Sequence, residues 1–465
     1  MKFYNRNKEL SELKKILDRK DSDLIYISGR RRIWKTKLVL KTLENKKFLY
    51  FFVWEKTSWE LLADFTQILE RNLGIKFLKF ENFKDFFEFL FDYSKKQDLI
   101  LVFDEFQNFY KIDKWIFSDL QYFWDLNKDF SNLKLFCLWS HFTLMKEIFD
   151  NYSSPLYWRK TASFYLKSFD IETQIEILKD YKKLNAKNLL SIFSIFYWIP
   201  KYLEIFFKNF EEKNDFLDEI IKLFTKENSF FLNEAKELFA LEFGKSYEIY
   251  SSILTAIAVW KTKKSEISEF SWISNDSLWV YLKKLEDYYE LIERNVPITD
   301  KKSSKNSKYK IKDLFLKFWF SYIYKYDYLV EIWDFEELRK IIKSDINIFF
   351  WIAFEELVKE ILKAENIKNN LPFKIEKIWS FYDKKWQNEI DLVCINSKEK
   401  KVLFMECKLN PSKLNLEKLK QKVQDSGIYY SYKKYYWFAS LSWENVLVDY
   451  YLNLEEYVKF LIKQK

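Results

Sequence analysis

Lys35 and Thr36 stand at a spacing that fits phosphate binding. They end the segment SGRRRIWKT over 28–36, which follows an apolar run over 24–27 and precedes apolar residues at helical spacing. Buried strand, tight loop, Lys-Thr and helix is the layout of a phosphate-binding loop, G-x-x-x-x-G-K-[ST]. Backbone N–H groups there face phosphates at the positive end of a helix. We expect Lys35 to reach the β- and γ-phosphates of a nucleotide, ATP, and the Thr36 hydroxyl to bind Mg²⁺.

One residue of this loop departs from the pattern. The second glycine falls on Trp34, whose side chain is the bulkiest available at a position that requires none. The other residues of the loop match the pattern G-x-x-x-x-G-K-[ST]. The residues predicted to bind the nucleotide from this loop are Gly29, Arg30, Arg31, Arg32, Ile33, Trp34, Lys35, Thr36 and Lys37.

The composition offers an explanation for Trp34. The chain has 4 Gly and 18 Trp in 465 residues, whereas average usage would give roughly 33 Gly. A drift toward AT-rich codons would deplete glycine, but it would deplete tryptophan as well. We therefore hypothesise that some Trp letters stand for codons, UGA being the candidate, that are read as glycine. The alternative is a genuine tryptophan in an impaired loop. Trp124 and Trp319 lie in helical patterns where glycine is unfavourable, so we expect them to be genuine.

A second motif, which is acidic, follows the apolar run over 99–103. The run ends in Asp104 and Glu105, and a continuous apolar run is typical of a parallel strand buried on both faces. Such a strand is the Walker B element that accompanies a phosphate-binding loop. We expect Asp104 to hold Mg²⁺ and Glu105 to polarise the attacking water. A plain surface pair of acids is the alternative.

A separate constellation lies near the end of the chain. Asp391 lies in a strand pattern, and Glu406 and Lys408 lie in the next one, which is the PD-(D/E)xK pattern. Glu406 and Lys408 point to the same strand face because they are two residues apart. The two carboxylates would share one divalent metal, and Lys408 would orient the nucleophilic water. Glu355, in a segment that we predict to begin a helix at Phe354, is a further candidate ligand.

The elements around these residues indicate a multidomain α/β protein. Hydrophobic residues make up 48% of the chain, which is ample for packed cores, and the net charge of +9 is compatible with nucleic acid without requiring it. The three cysteines have no metal-ligand spacing, and the single His141 excludes His-rich zinc sites. The N-terminus has no apolar signal core, and charges interrupt every long apolar run. We expect a cytoplasmic protein that does not bind membranes.

With glycine in place of four tryptophans, the chain resembles a known family. The segments around 34, 139, 158 and 198 then read GRRRIGKT, LGSH, LYGRK and YGIPKYLE, as in the archaeal-type P-loop ATPases of the AAA/STAND group. The resemblance spans most of the chain. It implies that Ser140, after the strand over 133–138, lies near the γ-phosphate with His141 beside it. It also makes Arg159 a candidate phosphate-sensing arginine, although a surface arginine fits equally well.

The family resemblance also implies a domain order. We expect a P-loop ATPase domain over 1–165, a helical lid over 166–240, a winged helix over 241–312, and a PD-(D/E)xK nuclease-like domain over 313–465. The wing would carry a basic tip over 301–308, which could contact a phosphate backbone or be a solvated loop. Winged helices also serve as protein-binding modules, so a protein partner or a second copy of the chain is an alternative.

These patterns favour an enzyme that hydrolyses ATP with Mg²⁺ to control a DNA-directed, nuclease-like domain. Whether this last domain cuts DNA is left open by the sequence. A nucleotide-dependent switch or scaffold, whose last domain binds a partner without cleavage, is the main alternative. A third interpretation takes Trp34 literally and predicts a degenerate ATPase that retains only an interaction role.

Overall fold

The computed structural model describes residues 1–140, 148, 152–296, 307–383, 388–442 and 450–463. It contains two compact units, one formed by Lys2–Ser168 with Ile199–Lys201 and the other by Met1, Phe169–Trp198 and Tyr202–Lys465. His141 and most of the predicted basic tip, residues 301–306, lie outside the described residues. Within those described ranges, no helix has the length and apolar character needed to cross a membrane.

The first unit is an α/β fold around a parallel sheet. Its five strands have the order β2-β3-β4-β1-β5, and every neighbouring pair is parallel, as predicted. In chain order its elements are α1 (Asn7–Leu17), β1 (Asp23–Ser28), α2 (Lys35–Thr42), β2 (Leu49–Phe52), α3 (Ser58–Leu73), α4 (Phe83–Ser94), β3 (Leu99–Asp104), α5 (Asn108–Ile112), α6 (Ile116–Asn127), β4 (Leu133–Trp139) and β5 (Ala162–Tyr165).

Both faces of this sheet are covered, which explains the continuous apolar runs. In β1, Leu24 and Tyr26 join an aromatic-rich core with helices α3, α4 and α6, whereas Ile25 and Ile27 join a second core with α1 and α2. Alternate side chains of a strand point to opposite faces, so a strand covered on both sides is apolar throughout. The carboxyl ends of the strands are therefore the edge where polar residues can collect.

The second unit begins with a helical part that ends in a short antiparallel hairpin, β6 paired with β7. A 3-10 turn over Gly244–Ser246 and a π-helical segment over Lys284–Tyr288 extend two of its helices. Its elements are α7 (Ile171–Asp180), α8 (Ala186–Phe196), α9 (Pro200–Asn209), α10 (Phe216–Phe224), α11 (Phe230–Phe243), α12 (Tyr247–Ala258), α13 (Lys264–Ser271), α14 (Asn275–Lys283), β6 (Ile292–Asn295) and β7 (Lys308–Ile311).

The rest of the second unit surrounds a mixed sheet of order β12-β11-β10-β9-β8. Strand β9 is antiparallel to both of its neighbours, β8 and β10, whereas β10, β11 and β12 are parallel. The elements are α15 (Leu314–Phe318), a π-helical segment (Trp319–Tyr324), α16 (Asp327–Glu331), α17 (Phe335–Ile367), β8 (Lys377–Tyr382), β9 (Glu389–Asn396), β10 (Lys401–Lys408), α18 (Leu416–Ser426), β11 (Lys433–Ser440), β12 (Tyr450–Asn453) and α19 (Leu454–Lys463).

The helix that carries Glu355 corrects a prediction from the sequence. It begins at Phe335 rather than at Phe354 and runs for 33 residues. The Asp334 carboxylate accepts a hydrogen bond from the backbone N–H of Glu337 at 3.1 Å, which caps the true start. Buried residues continue at helical spacing through the first half of the helix, so the pattern around Phe354 is its middle rather than its beginning.

Candidate functional site

The loop between β1 and α2 turns tightly at its first residue. Gly29 has φ 146°, and a β-carbon there would lie 2.5 Å from the backbone oxygen of Leu166 and 2.3 Å from Cδ1 of Ile33. Only glycine fits this close approach of two backbones. The first glycine of the phosphate-loop pattern is therefore required by the surrounding structure. Farther along the loop, Arg30 is exposed, Arg31 and Arg32 are half-buried, and Ile33 is buried.

Lys35 begins α2 and is 6% exposed. Its ammonium donates hydrogen bonds of 2.9 Å to the backbone oxygens of Gly29 and Arg30. Burial lowers the pKa of Lys35 to about 8, while the nearby carboxylates of Glu105 and Asp104 oppose this shift. The ammonium is thus held by backbone carbonyl oxygens of the loop. The oxygens of anionic phosphates would be stronger acceptors for it.

Asp104, the last residue of β3, accepts hydrogen bonds from hydroxyl groups of two other elements, α2 and β2. Its Oδ2 accepts hydrogen bonds of 2.6 Å from the hydroxyl of Thr36 and from the hydroxyl of Tyr50 in β2. Burial raises the pKa of Tyr50, and the hydrogen bond to Asp104 raises it further. The Thr36 hydroxyl and the Asp104 carboxylate are oxygen donors of the kind that Mg²⁺ prefers, so these residues fit the predicted ion.

Glu105 follows Asp104 at the carboxyl end of β3, and its backbone is left-handed, with φ 56°. Its Oε1 accepts a hydrogen bond of 2.6 Å from the hydroxyl of Ser140, which comes just after β4. Its Oε2 accepts another from the side-chain amide of Gln107. The structure therefore brings Ser140 and Glu105 together, as expected for two residues at the carboxyl ends of neighbouring parallel strands.

Trp34 immediately precedes Lys35 and has φ 68°. Its ring lies against Phe3, with centroids 5.7 Å apart, and the Lys37 ammonium is 3.8 Å from the indole centroid. Trp34 is 7% exposed. The indole is thus packed against Phe3 and Lys37 at the N-terminus of α2, where the phosphate-loop pattern has a glycine.

Arg159 is held elsewhere by an acidic partner. Its guanidinium pairs with the Asp125 carboxylate of α6, with Nε–Oδ1 at 2.9 Å and NH2–Oδ2 at 2.7 Å. It also donates to the backbone oxygens of Pro155 and Tyr157. In this conformation the guanidinium is paired with Asp125 rather than placed beside the acidic residues Asp104 and Glu105. A phosphate-sensing role would require that ion pair to break.

In the second unit, Asp391, Glu406 and Lys408 converge. The antiparallel register pairs Met405 with Leu392, so the next residues, Glu406 and Asp391, lie side by side on adjacent strands. The Lys408 ammonium is 3.0 Å from Oδ2 of Asp391 and 3.2 Å from Oε2 of Glu406. Burial and, to a smaller extent, the neighbouring Glu406 raise the pKa of Asp391 to about 6. One ammonium therefore bridges two buried carboxylates.

Residues of two helices border this group. Lys422 of α18 forms an ion pair with Oε1 of Glu406. From α17, the Trp351 ring lies 5.7 Å from the Lys408 ammonium. Burial raises the pKa of Glu355 well above its ordinary value, and Asp391 adds to the rise, so this carboxyl is also close by. The group thus combines three carboxyl side chains with the ammonium groups of Lys408 and Lys422.

Glu355 does not complete a metal site of three carboxylates here. Among the residues that the structure describes, no group of three or more His, Cys, Asp or Glu side chains is arranged to hold a metal ion. The Lys408 ammonium instead contacts both Asp391 and Glu406. Two carboxylate ligands with an adjacent lysine remain, which fits a Mg²⁺ ion that keeps several of its waters.

Three residues of these two groups were missed by reasoning from sequence. They are Tyr50, which bonds Asp104, Gln107, which bonds Glu105, and Lys422, which pairs with Glu406. Gln107 lies two residues after Glu105 and could have been included for that reason. For Tyr50 and Lys422 the sequence has no comparable signal, because the contact depends on strand order and on how α18 packs against the sheet.

Comparisons with known proteins concern the domains of the chain. Residues 3–206 match the family described as an ATPase domain predominantly from Archaea, and residues 319–423 match archaeal and bacterial proteins of unknown function. The uncharacterized protein MJECL04 of Methanocaldococcus jannaschii is 34% identical over 408 residues, which cover 87% of this chain and 87% of that protein.

Two further similarities concern the nucleotide-binding part and the fold. The uncharacterized ATP-binding protein MJ0439 of Methanocaldococcus jannaschii is 23% identical over 313 residues, covering 56% of this chain and 83% of that protein. Among solved structures, the Walker-type ATPase PABY2304 of Pyrococcus abyssi has a TM-score of 0.51 and 20% identity, covering 68% of this chain and 96% of that one. This last likeness concerns the fold alone.

Proposed function

Because the chain belongs to one family with the uncharacterized protein MJECL04 and residues 3–206 match an ATPase domain predominantly from Archaea, we propose that it hydrolyses ATP with Mg²⁺ at the loop over 28–36. The observation that carries this proposal is the hydrogen bond from Thr36 to Asp104, which joins the phosphate loop to the acidic end of β3. The match to an ATPase domain and the ATP-binding relative support nucleotide binding.

The residues divide the work of hydrolysis among them. Lys35 would leave the carbonyls of Gly29 and Arg30 for the β- and γ-phosphates, where its charge offsets theirs. Glu105, held by Ser140 and Gln107, would orient and polarise the attacking water. Mg²⁺, held by Thr36 and Asp104, would neutralise charge on the phosphate oxygens.

Equilibrium binding of a fluorescent ATP analogue tests this proposal. In protein with glycine at position 34, Lys35→Ala should weaken binding at least tenfold, because it removes the ammonium that faces the phosphates. Lys41→Ala is the matched control, since Lys41 lies on the same helix but is exposed and pairs with Glu44 at 2.6 Å. If both variants bind as the parent does, the loop is not the nucleotide site.

For the second unit, we propose a DNA-directed module that is controlled by the ATPase. The convergence of Asp391, Glu406 and Lys408 on adjacent strands supports a PD-(D/E)xK-like site, and Lys422 adds positive charge at its border. Mg²⁺ held by the two carboxylates would stabilise charge on a phosphodiester, with Lys408 orienting the water. We propose that a nuclease-like domain occupies 313–465, after an ATPase domain over 1–165 and a helical lid over 166–240.

The alternative is a nucleotide-dependent scaffold whose last domain binds a partner without cutting it. Nicking of supercoiled plasmid DNA in the presence of Mg²⁺ separates the two, since only a nuclease converts it to the relaxed form. We also propose that the three helices α12 to α14 with the β6–β7 hairpin form a winged helix over 241–312. It would contact DNA, a protein partner or a second copy of the chain.

A further inference from the structure

Six tryptophans have a left-handed backbone. Their φ angles lie between 57° and 73°, and they are Trp34, Trp158, Trp198, Trp260, Trp272 and Trp333. In the described part of the chain only one phenylalanine and two tyrosines share this conformation, although the chain has 47 Phe and 31 Tyr against 18 Trp. The β-carbon disfavours this conformation in every aromatic residue alike, so the nature of the indole does not explain the excess. All four glycines also have positive φ.

Two of these tryptophans end helices in the manner of glycine. After α12, the N–H of Trp260 bonds the oxygen of Ile257 and the N–H of Lys261 bonds that of Ala256. After α16, Trp333 and the next residue bond the backbone oxygens of Val330 and Leu329 in the same way. This is the Schellman motif, whose left-handed residue is usually glycine and sometimes asparagine.

The side chains of most of the six contribute little packing. Trp272, which ends α13, is 95% exposed, and Trp158 is 80% exposed. Trp260 and Trp333 are about half exposed. Burial of an indole is strongly stabilising, because its apolar area is large. Exposed indoles at strained backbone positions therefore add little to the stability of the fold. Trp34 is buried but stands where the phosphate loop has its second glycine.

Other tryptophans have the opposite character. Trp124, Trp319 and Trp437 are buried, lie within regular elements and do not have positive φ. The indole N–H of Trp319 donates to the backbone oxygens of Phe231 at 3.0 Å and Leu232 at 3.3 Å. Trp139, which the family resemblance reads as glycine, is fully buried at the end of β4. It does not have a positive φ, so its backbone does not mark it as a glycine position.

We propose that the native protein carries glycine at positions 34, 158, 198, 260, 272 and 333, and tryptophan at 124, 319 and 437. The two classes differ in backbone conformation rather than in neighbouring sequence, which points to two codons behind one letter. The native phosphate loop would then read GRRRIGKT. This inference does not depend on ATP hydrolysis, because five of the six positions lie outside the residues assigned to the nucleotide site.

Two adjacent tryptic peptides of the natively produced protein test the inference. The peptide over 318–325 contains only Trp319, and the peptide over 326–339 contains only Trp333. Tandem mass spectrometry should find tryptophan in the first and glycine in the second. Tryptophan at 333 would overturn the proposal, and so would glycine at 319, since the backbone would then fail to separate the two classes. Neither result depends on nucleotide binding, so a failure here is distinct from a failure of the proposed ATPase.

Discussion

The Thr36 hydroxyl donates a hydrogen bond of 2.6 Å to Oδ2 of Asp104, although 68 residues separate them in the chain. Thr36 follows β1 and Asp104 ends β3, and β4 lies between these two strands in the sheet. The carboxyl ends of parallel strands share one edge, which is where ligands bind in open α/β sheets. The loop and the acidic strand end therefore form one site rather than two separate motifs.

Glu105→Gln should separate nucleotide binding from hydrolysis. The amide keeps the size of the side chain but cannot polarise water, so hydrolysis should fall by roughly 100-fold or more. Affinity for ATP should stay close to that of the parent, because Lys35, Thr36 and Asp104 are unchanged. Steady-state phosphate release and equilibrium binding measure the two quantities. An equal loss of both would contradict the distinct role assigned to Glu105.

Trp34→Gly should restore nucleotide binding in protein made with tryptophan at every Trp position. The left-handed backbone at residue 34 is unfavourable for a side chain by roughly 1–3 kcal/mol, and the phosphate-loop pattern has no side chain at this position. We expect the tryptophan form to bind ATP weakly and the glycine form to bind it at least tenfold more tightly. Comparable affinity of the two forms, measured by calorimetry, would show that the loop accommodates the indole.

The pKa of Lys35 predicts a pH dependence of ATP binding. The ammonium has a pKa of about 8 in the free protein, lowered mainly by burial, and bound phosphates would raise it. Binding should therefore take up a proton above pH 8, and affinity should fall by up to about tenfold per pH unit there. Below pH 8 the lysine is already charged and this dependence should vanish. Calorimetry in two buffers of different ionisation enthalpy, using the Trp34→Gly protein, measures the uptake.

Asp391→Ala and Lys408→Ala should differ in their effect on the proposed second site. The first removes a carboxylate ligand, so both Mg²⁺ binding and any cleavage of DNA should be lost. The second removes no metal ligand, so Mg²⁺ binding should persist while cleavage is lost. ATP hydrolysis should survive both changes because its residues belong to the other unit. If Mg²⁺ binding is the same in all three proteins, the carboxylates do not form a metal site.

Trp272→Gly should stabilise the protein, whereas Trp124→Gly should destabilise it. Trp272 is 95% exposed with φ 57°, so glycine relieves an unfavourable backbone and loses little packing; the expected gain is about 1 kcal/mol. Trp124 is buried within α6, where loss of the indole leaves a cavity that destabilises by about 3–5 kcal/mol. Urea unfolding of both variants provides the test. Destabilisation by Trp272→Gly would contradict its assignment as a glycine position.

Patterns within single segments were enough to predict much of the first unit. The run over 24–27, the loop to Thr36 and the run ending at Asp104 specify a parallel sheet with a phosphate loop, because burial on both faces and tight turns leave local signatures. The second unit was predicted less accurately from the sequence. Glu355 was assigned to the start of a helix that begins at Phe335, because the boundary depends on a cap twenty residues upstream.

The sequence by itself determined which residues are chemically capable: Lys35 and Thr36 in one unit, and Asp391, Glu406 and Lys408 in the other. Only the tertiary structure decided their partners. Tyr50 reaches Asp104 because β2 lies beside β3, and Arg159 pairs with Asp125 because of how its loop returns to α6. Backbone conformation also separated the tryptophans into two classes. Strand order arises from the packing of the whole chain, so no local pattern of residue types encodes it. The motifs of the family resemblance read glycine at 34, 158 and 198, whereas positions 260, 272 and 333 were distinguished only by their φ angles.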